Sequence, residues 1–195
     1  YGVRTYFRKS ADWEQIYKGS VDTVILERIV FRHKTSDYIL VADAYDGRYI
    51  KECTVDFLRS AAGHNPAGIF IGDDTVRIRG GASVVAYIGH NGLMDFRLDE
   101  AYKGVTDNDR KTIILACMSR RYFAPYIKHS GAEPLLWTTN FMAPEAYTLH
   151  DALASHISGG SAVQVRQSAA EAYSKYQKCS VAAARELLVT GFDEK

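Results

Sequence analysis

Cysteine is scarce in this 195-residue chain: three are present, an odd number, and no two form a C-x-x-C pair. A disulfide framework and a cysteine-pair metal or redox site are thereby excluded. Charge of one sign is equally absent, since 24 basic and 23 acidic residues leave a net charge of +1. The chain carries no footprint for nucleic acid and no polybasic patch for a membrane surface. No apolar run approaches the roughly 20 residues of a membrane helix. No G-x-G-x-x-G or Walker loop occurs, and no cofactor is expected. His150 and His156 are six apart, where a shared helix face needs three or four, so no metal site is expected. The chain opens on Tyr1 with no charged and apolar leader, which reads as a fragment or mature form whose address has been removed. No internal repeat or low-complexity segment is visible.

What is present is an ordinary globular composition, 47% hydrophobic and 24% charged. It predicts one α/β domain over residues 1–195, with a helical carboxyl-terminal portion at about 144–189. The most informative stretch is Ala82–Cys117. Two apolar runs, Ala82-Ser-Val-Val-Ala-Tyr-Ile-Gly-His90 and Lys111-Thr-Ile-Ile-Leu-Ala-Cys117, read as parallel strands buried on both faces. Such sheets keep their working residues just past the strands' carboxyl ends. His90 and Cys117 stand at those ends, as a thiol nucleophile and its proton-handling partner require. Cys53 and Cys179 fall in amphipathic helices and read as inert thiols.

The two blocks, Val84 to Gly92 and Ile113 to Cys117, resemble the signature of the caspase-like cysteine peptidases: caspases, legumains, gingipains and clostripain. The resemblance implies a three-layer α/β sandwich with a mostly parallel sheet and helices on both faces. It implies Cys117 as nucleophile, His90 as general acid/base, and backbone N–H groups of Gly92 or Asn91 and of Cys117 as the oxyanion site. The substrate would be a peptide or protein. Bacterial chains of this appearance imply export to the periplasm or beyond. The chain departs from the pattern in placing Asn91 before Gly92, and in following Cys117 with Met118-Ser119-Arg120. Those departures favour an alternative, a binding or scaffold protein that keeps the sheet without the chemistry. A flavodoxin-like binder is a third reading, opposed by the missing phosphate loop. The oligomeric state is left open.

In chain order, Tyr1–Trp13 reads as a short helix and Thr23–Arg32 as a strand. Tyr38–Asp43 reads as the strand of a strand-loop-helix unit that continues to a helix at about 49–62. Asp46 and Arg48, in that loop, become substrate-pocket candidates through the resemblance, while Asp46 is equally placed to cap the helix. Short strands follow at 68–72 and 75–79. Asn91-Gly92 reads as a turn tolerant of positive φ, and Asp95 as a partner that could orient His90. Residues 97–111 read as a surface excursion. A helix at 119–130, stopped by Gly131, starts at the cysteine, where its dipole lowers a thiol pKa. Glu133–Thr139 is the last strand, with Trp137 and Phe141 as candidate pocket walls or core residues.

Overall fold

The computed structural model describes residues 1–72, 74–105 and 108–192. Its centre is β7 (Lys111–Leu115), whose Thr-Ile-Ile-Leu core is wholly buried. β-Branched side chains on both faces of a short strand favour a place between two neighbours. On one side β7 pairs in parallel with β6 (Val84–Ile88), and on the other with β8 (Glu133–Thr138). β9 (Leu188–Val189) closes the far edge, antiparallel to β8, giving the order β6-β7-β8-β9.

A second sheet holds β1 (Trp13–Gly19), β2 (Ile25–His33) and β3 (Ile39–Tyr45), all antiparallel. Here the reading of β3 as part of a parallel, doubly wound unit is overturned. Lys34-Thr35-Ser36-Asp37 is short enough to return the chain as a hairpin, and a parallel partner would have needed a crossover of a dozen residues. Arg28 grips Asp43 across this pair at 2.6 and 2.7 Å. β4 (Ala67–Ile71) and β5 (Asp74–Ile78) form a separate hairpin. The amino-terminal helix α1 is confined to Val3–Phe7, and Trp13 opens β1, a strand the sequence did not disclose.

Helices pack with the parallel strands in two separate clusters. α2 (Ile50–Ala61) and α3 (Ser119–Ser130) bury Phe57, Leu58, Phe123 and Ile127 against Tyr87, Ile114, Ala116 and Trp137. α4 (Ala146–Ile157), α5 (Ala162–Gln177) and α6 (Val181–Leu187) bury Tyr147, Leu149, Val165, Ala169 and Ala184 in one cluster with Ile113, Leu115 and Leu136. Phe7, Trp13, Ile29 and Phe31 join that second cluster, so the antiparallel sheet packs on the same side. Local signals set the helix ends. Gly131 stops α3 at φ 71°. Ser161 and Gln164 form a reciprocal capping box at the start of α5. Pro125 sits inside α3, where its missing N–H leaves the Arg121 carbonyl without the usual donor one turn on.

Two expectations are corrected by burial. β6 is an edge strand: Val84, Val85 and Ile88 are half-buried and Ala86 is exposed, because no strand pairs with its outer side. The excursion at 97–110 is anchored as well as exposed. Tyr102 is only 1% accessible, and Asn108 Nδ2 donates to the carbonyls of Ala61 (2.9 Å) and Ser130 (2.5 Å), joining the carboxyl ends of α2 and α3.

The contrast between the two parallel strands is measurable. Ile114→Ala, in the fully buried β7, should cost about 2–5 kcal/mol, whereas Val85→Ala on β6 should cost less than half as much. Urea unfolding of the two variants tests this, and equal losses would mean that β6 is buried as deeply as β7.

Candidate functional site

The register that pairs Ile88 with Leu115 puts His90 and Cys117 two residues beyond adjacent points of neighbouring strands. Parallel neighbours run about 4.8 Å apart, so the two positions are close in the backbone. The ladder continues past the strand ends, with Gly89 N donating to Leu115 O at 3.1 Å. Asn91, fully buried, then spans the gap: its Nδ2 donates to Cys117 O at 2.7 Å and its Oδ1 accepts from Leu93 N at 3.1 Å. Gly89, at φ 150°, supplies the positive φ expected of Asn91-Gly92, and Asn91 itself sits at φ −82°.

The side chains of the expected dyad do not touch each other. His90 is exposed, and its Nε2 meets Asp95 Oδ2 at 2.6 Å, which leaves Nδ1 without a partner among the described residues. This is the contact considered for Asp95. Cys117 is half-buried. Its thiol donates to Met142 O at 3.6 Å, and Met142 N donates back to Sγ at 3.5 Å. A thiolate would keep the second bond and forfeit the first. The Cys117 N–H donates to no group among the described residues. The Gly92 N–H is directed at the Tyr87 hydroxyl, which itself donates to His90 O at 2.6 Å. Burial pushes the Tyr87 phenol up to about 12, so this hydroxyl stays protonated. A Cβ at Gly92 would fall 2.8 Å from the Phe96 ring and 3.0 Å from Ile50 Cγ1, so a larger residue there would have to displace the Phe96 ring.

The turn that presents Cys117 is fixed from below. Met118 takes the left-handed conformation at φ 50°, which costs a non-glycine residue about 1–2 kcal/mol, and its N–H donates to Asn140 O at 2.9 Å. α3 has no cap from its own preceding side chain. Instead Thr138, at the end of β8, accepts from Ser119 N at 3.1 Å, and Ser119 Oγ accepts from Thr138 N at 2.9 Å while donating to Ile114 O at 2.8 Å. Sequence reasoning missed Ser119, Thr138 and Met142. A serine opening a helix is a weak capping signal, and nothing local marked its partner two elements away.

The other candidates fall as follows. Asp46 accepts from Arg48 N at 2.9 Å, capping the helical turn Gly47–Tyr49, and pairs with the Arg48 guanidinium at 2.7 Å. Hydrogen bonding from Arg48 holds the Asp46 carboxyl down to about 2. The Ile50–Gly92 approach shows that the carboxyl ends of β3 and β6 lie together, and Asp46 and His90 line one cavity. Arg48 points to solvent, with its side chain 80% exposed. Trp137 is fully buried against Phe192 at 5.3 Å between ring centres, and so is a core residue and not a pocket wall. Phe141 is 66% exposed beside Met142. Arg120, three residues past the cysteine, donates to Phe192 O at 2.8 Å. Among the described residues no histidine, cysteine and carboxylate cluster is arranged to hold a metal, and no helix is long and apolar enough to cross a membrane.

Compared with known proteins, the chain matches no family model, no curated protein and no solved structure.

Asn91→Ala removes the tie to Cys117 O and leaves that carbonyl in a poorly solvated turn, at a cost of about 1–3 kcal/mol. Thermal unfolding should register the loss, together with faster amide exchange at 116–118. An unchanged melting temperature would mean that the tie is dispensable.

Proposed function

We propose that the protein is a hydrolase, a cysteine peptidase of caspase-like, three-layer architecture that acts on peptide or protein substrates, in an exported bacterial setting. The observation that carries this is the parallel register Ile88 to Leu115, which brings the chain positions of His90 and Cys117 together. Cys117 attacks the scissile carbonyl and His90 delivers a proton to the leaving amine, so the C–N bond breaks as the thioester forms. Water then releases the acyl group, with His90 taking its proton. Asp95 acts as a positioning residue by holding Nε2 and directing Nδ1 toward the thiol. The Cys117 N–H, and a group near Asn91 or Gly92 once the Tyr87 contact shifts, hold the oxyanion. Asp46 lies on the same rim and would meet the substrate.

A second reading, a non-catalytic binding protein on the same fold, is favoured by one observation: the thiol proton is already engaged by the Met142 carbonyl and His90 by Asp95.

Iodoacetamide alkylation across pH, with the modified residue located by mass spectrometry, separates the two. Cys53 is a built-in control, because burial pushes its thiol up to about 12 and it should react slowly. Under the catalytic reading Cys117 reacts faster than Cys53 and Cys179, with an apparent pKa below the ordinary 8.5 or so. That pKa rises in His90→Ala and moves partway in Asp95→Asn. A Cys117 that reacts no faster than Cys53, or is indifferent to His90, would leave the binding reading in place.

A further inference from the structure

A cavity of about 1580 Å³ is lined by every residue from Ile39 to Gly47 and from Gly81 to His90. Successive residues of a strand point to opposite faces, so a cleft lying against a face touches every second one. A cavity that touches them all runs along the strand's edge. Here it does so for β3 and β6, with Thr75–Arg79 of β5 and the turn after it also on the wall: β3 is the last strand of its sheet and β6 the first of the other, and neither pairs on the side that faces the cavity. α2 contributes Cys53, Asp56, Phe57 and Ser60 to the wall, and α1 and α4 contribute Val3, Arg4, Thr5, Leu149 and Leu153. Two unpaired strand edges thus face one space with helices beside it.

The hydrogen-bonding pattern supports this arrangement. Lys111 N donates to Ser83 O and Gly89 N to Leu115 O, so in the two-residue rhythm of a parallel ladder the odd-numbered residues of β6 face β7. Val84, Ala86 and Ile88 therefore turn their N–H and C=O groups into the cavity. His33 N donates to Tyr38 O, so in the antiparallel pair the even-numbered residues of β3 face β2. Ile39, Val41, Asp43 and Tyr45 turn theirs into the same space. Two rows of alternating donors and acceptors are matched by an extended peptide backbone and by no small ligand. The volume also exceeds the roughly 300–1000 Å³ of a small-molecule pocket.

We propose that this slot receives a strand from a second polypeptide, which pairs with β3 and β6 together and joins the two sheets into one. Its chemistry follows from its surroundings. It is extended over about seven residues, matching the lined length of β3 at about 3.3 Å each. Cys53 and Phe57 on one helix and Val3, Leu149 and Leu153 on the others give it apolar surroundings, interrupted by Asp56, Ser60, Arg4 and Thr5, so it is mainly Val, Ile or Ala, without the regular polar alternation of a strand that has one wet face. A second copy of this chain is a poor donor, because β7, the strand with that composition and full burial, is already paired on both sides. The inference does not depend on the chemistry assigned to Cys117.

The test uses the full chain and a synthetic peptide of about seven Val, Ile and Ala residues flanked by glutamates, followed by hydrogen exchange and native mass spectrometry. In the free protein the cavity-facing amides of Ile39, Val41, Asp43 and Tyr45 and of Val84, Ala86 and Ile88 should exchange at least tenfold faster than those of 111–115. With the peptide, a 1:1 complex should form and both segments should become protected together. The same peptide N-methylated at alternate central residues should lose protection along one of the two strands. Ala86→Pro removes an N–H aimed into the slot while sparing the β7 ladder, and should weaken binding at least tenfold. If that variant does not fold, the N-methylated peptide still decides the matter. Equal protection of Val84, Ala86 and Ile88 and of 111–115 in the free chain would overturn the proposal. So would protection that arises only with dimer formation, binding indifferent to N-methylation, or failure of the peptide to protect either strand.

Discussion

Two buried hydroxyls hold the centre of this molecule in place. Ser119 and Thr138 lie 3.0 Å apart with no exposure, and between them they satisfy the carbonyls of Ile114 and Ala116 and the N–H groups of Ser119 and Thr138. Leaving any one of these groups dry and unpaired would cost about 1–3 kcal/mol. Because the pair serves the end of β7, the start of α3 and the end of β8, those three elements can meet in only one arrangement. The turn that presents Cys117 lies inside that junction, so the direction of the thiol is decided by residues that never touch it.

The features that set this chain apart from the caspase-like pattern turn out to have structural work. Asn91 separates His90 from Gly92, and its amide joins the ends of β6 and β7. Met118 follows the cysteine in a left-handed conformation, which turns the chain from strand into helix within one residue. Both sit between the putting-together of the two strand ends and any chemistry performed there. The thiol rests on the Met142 backbone and the imidazole on Asp95.

The sequence disclosed most of the helices and the parallel core. Val, Ile and Leu runs marked β7 and β8, Gly131 marked the end of α3, and the alanine-rich segment broke near Ser180, where α6 begins. It did not disclose what lies beside a strand. A run such as Val84–Ile88 has the composition of a central strand, and its burial depends on a neighbour that local residues do not specify. The same gap hid the antiparallel partner of β3 and the two-residue strand β9, whose pairing joins segments some fifty residues apart. Of the site, His90 and Cys117 were legible as strand-end residues. Trp137 was ambiguous because an aromatic at a strand end looks alike whether it walls a cleft or fills a core. Ser119, Thr138 and Met142 were invisible, since each acts through contacts distant in sequence.

The cluster on the α4–α5 side joins Phe7, near one end of the chain, to Leu188, near the other. During synthesis α1 can meet β1 and β2 early, through Trp13 and Phe31, but lacks the rest of its packing until the segment that forms α4 to α6 has left the ribosome. At about 5–20 residues per second, the roughly 180 residues between Phe7 and Leu188 take on the order of 10–40 s to make. Throughout that interval Tyr6, whose ring partners include Tyr147 and Tyr176, is only partly covered, and a chaperone that holds apolar segments would have its longest opportunity to engage there.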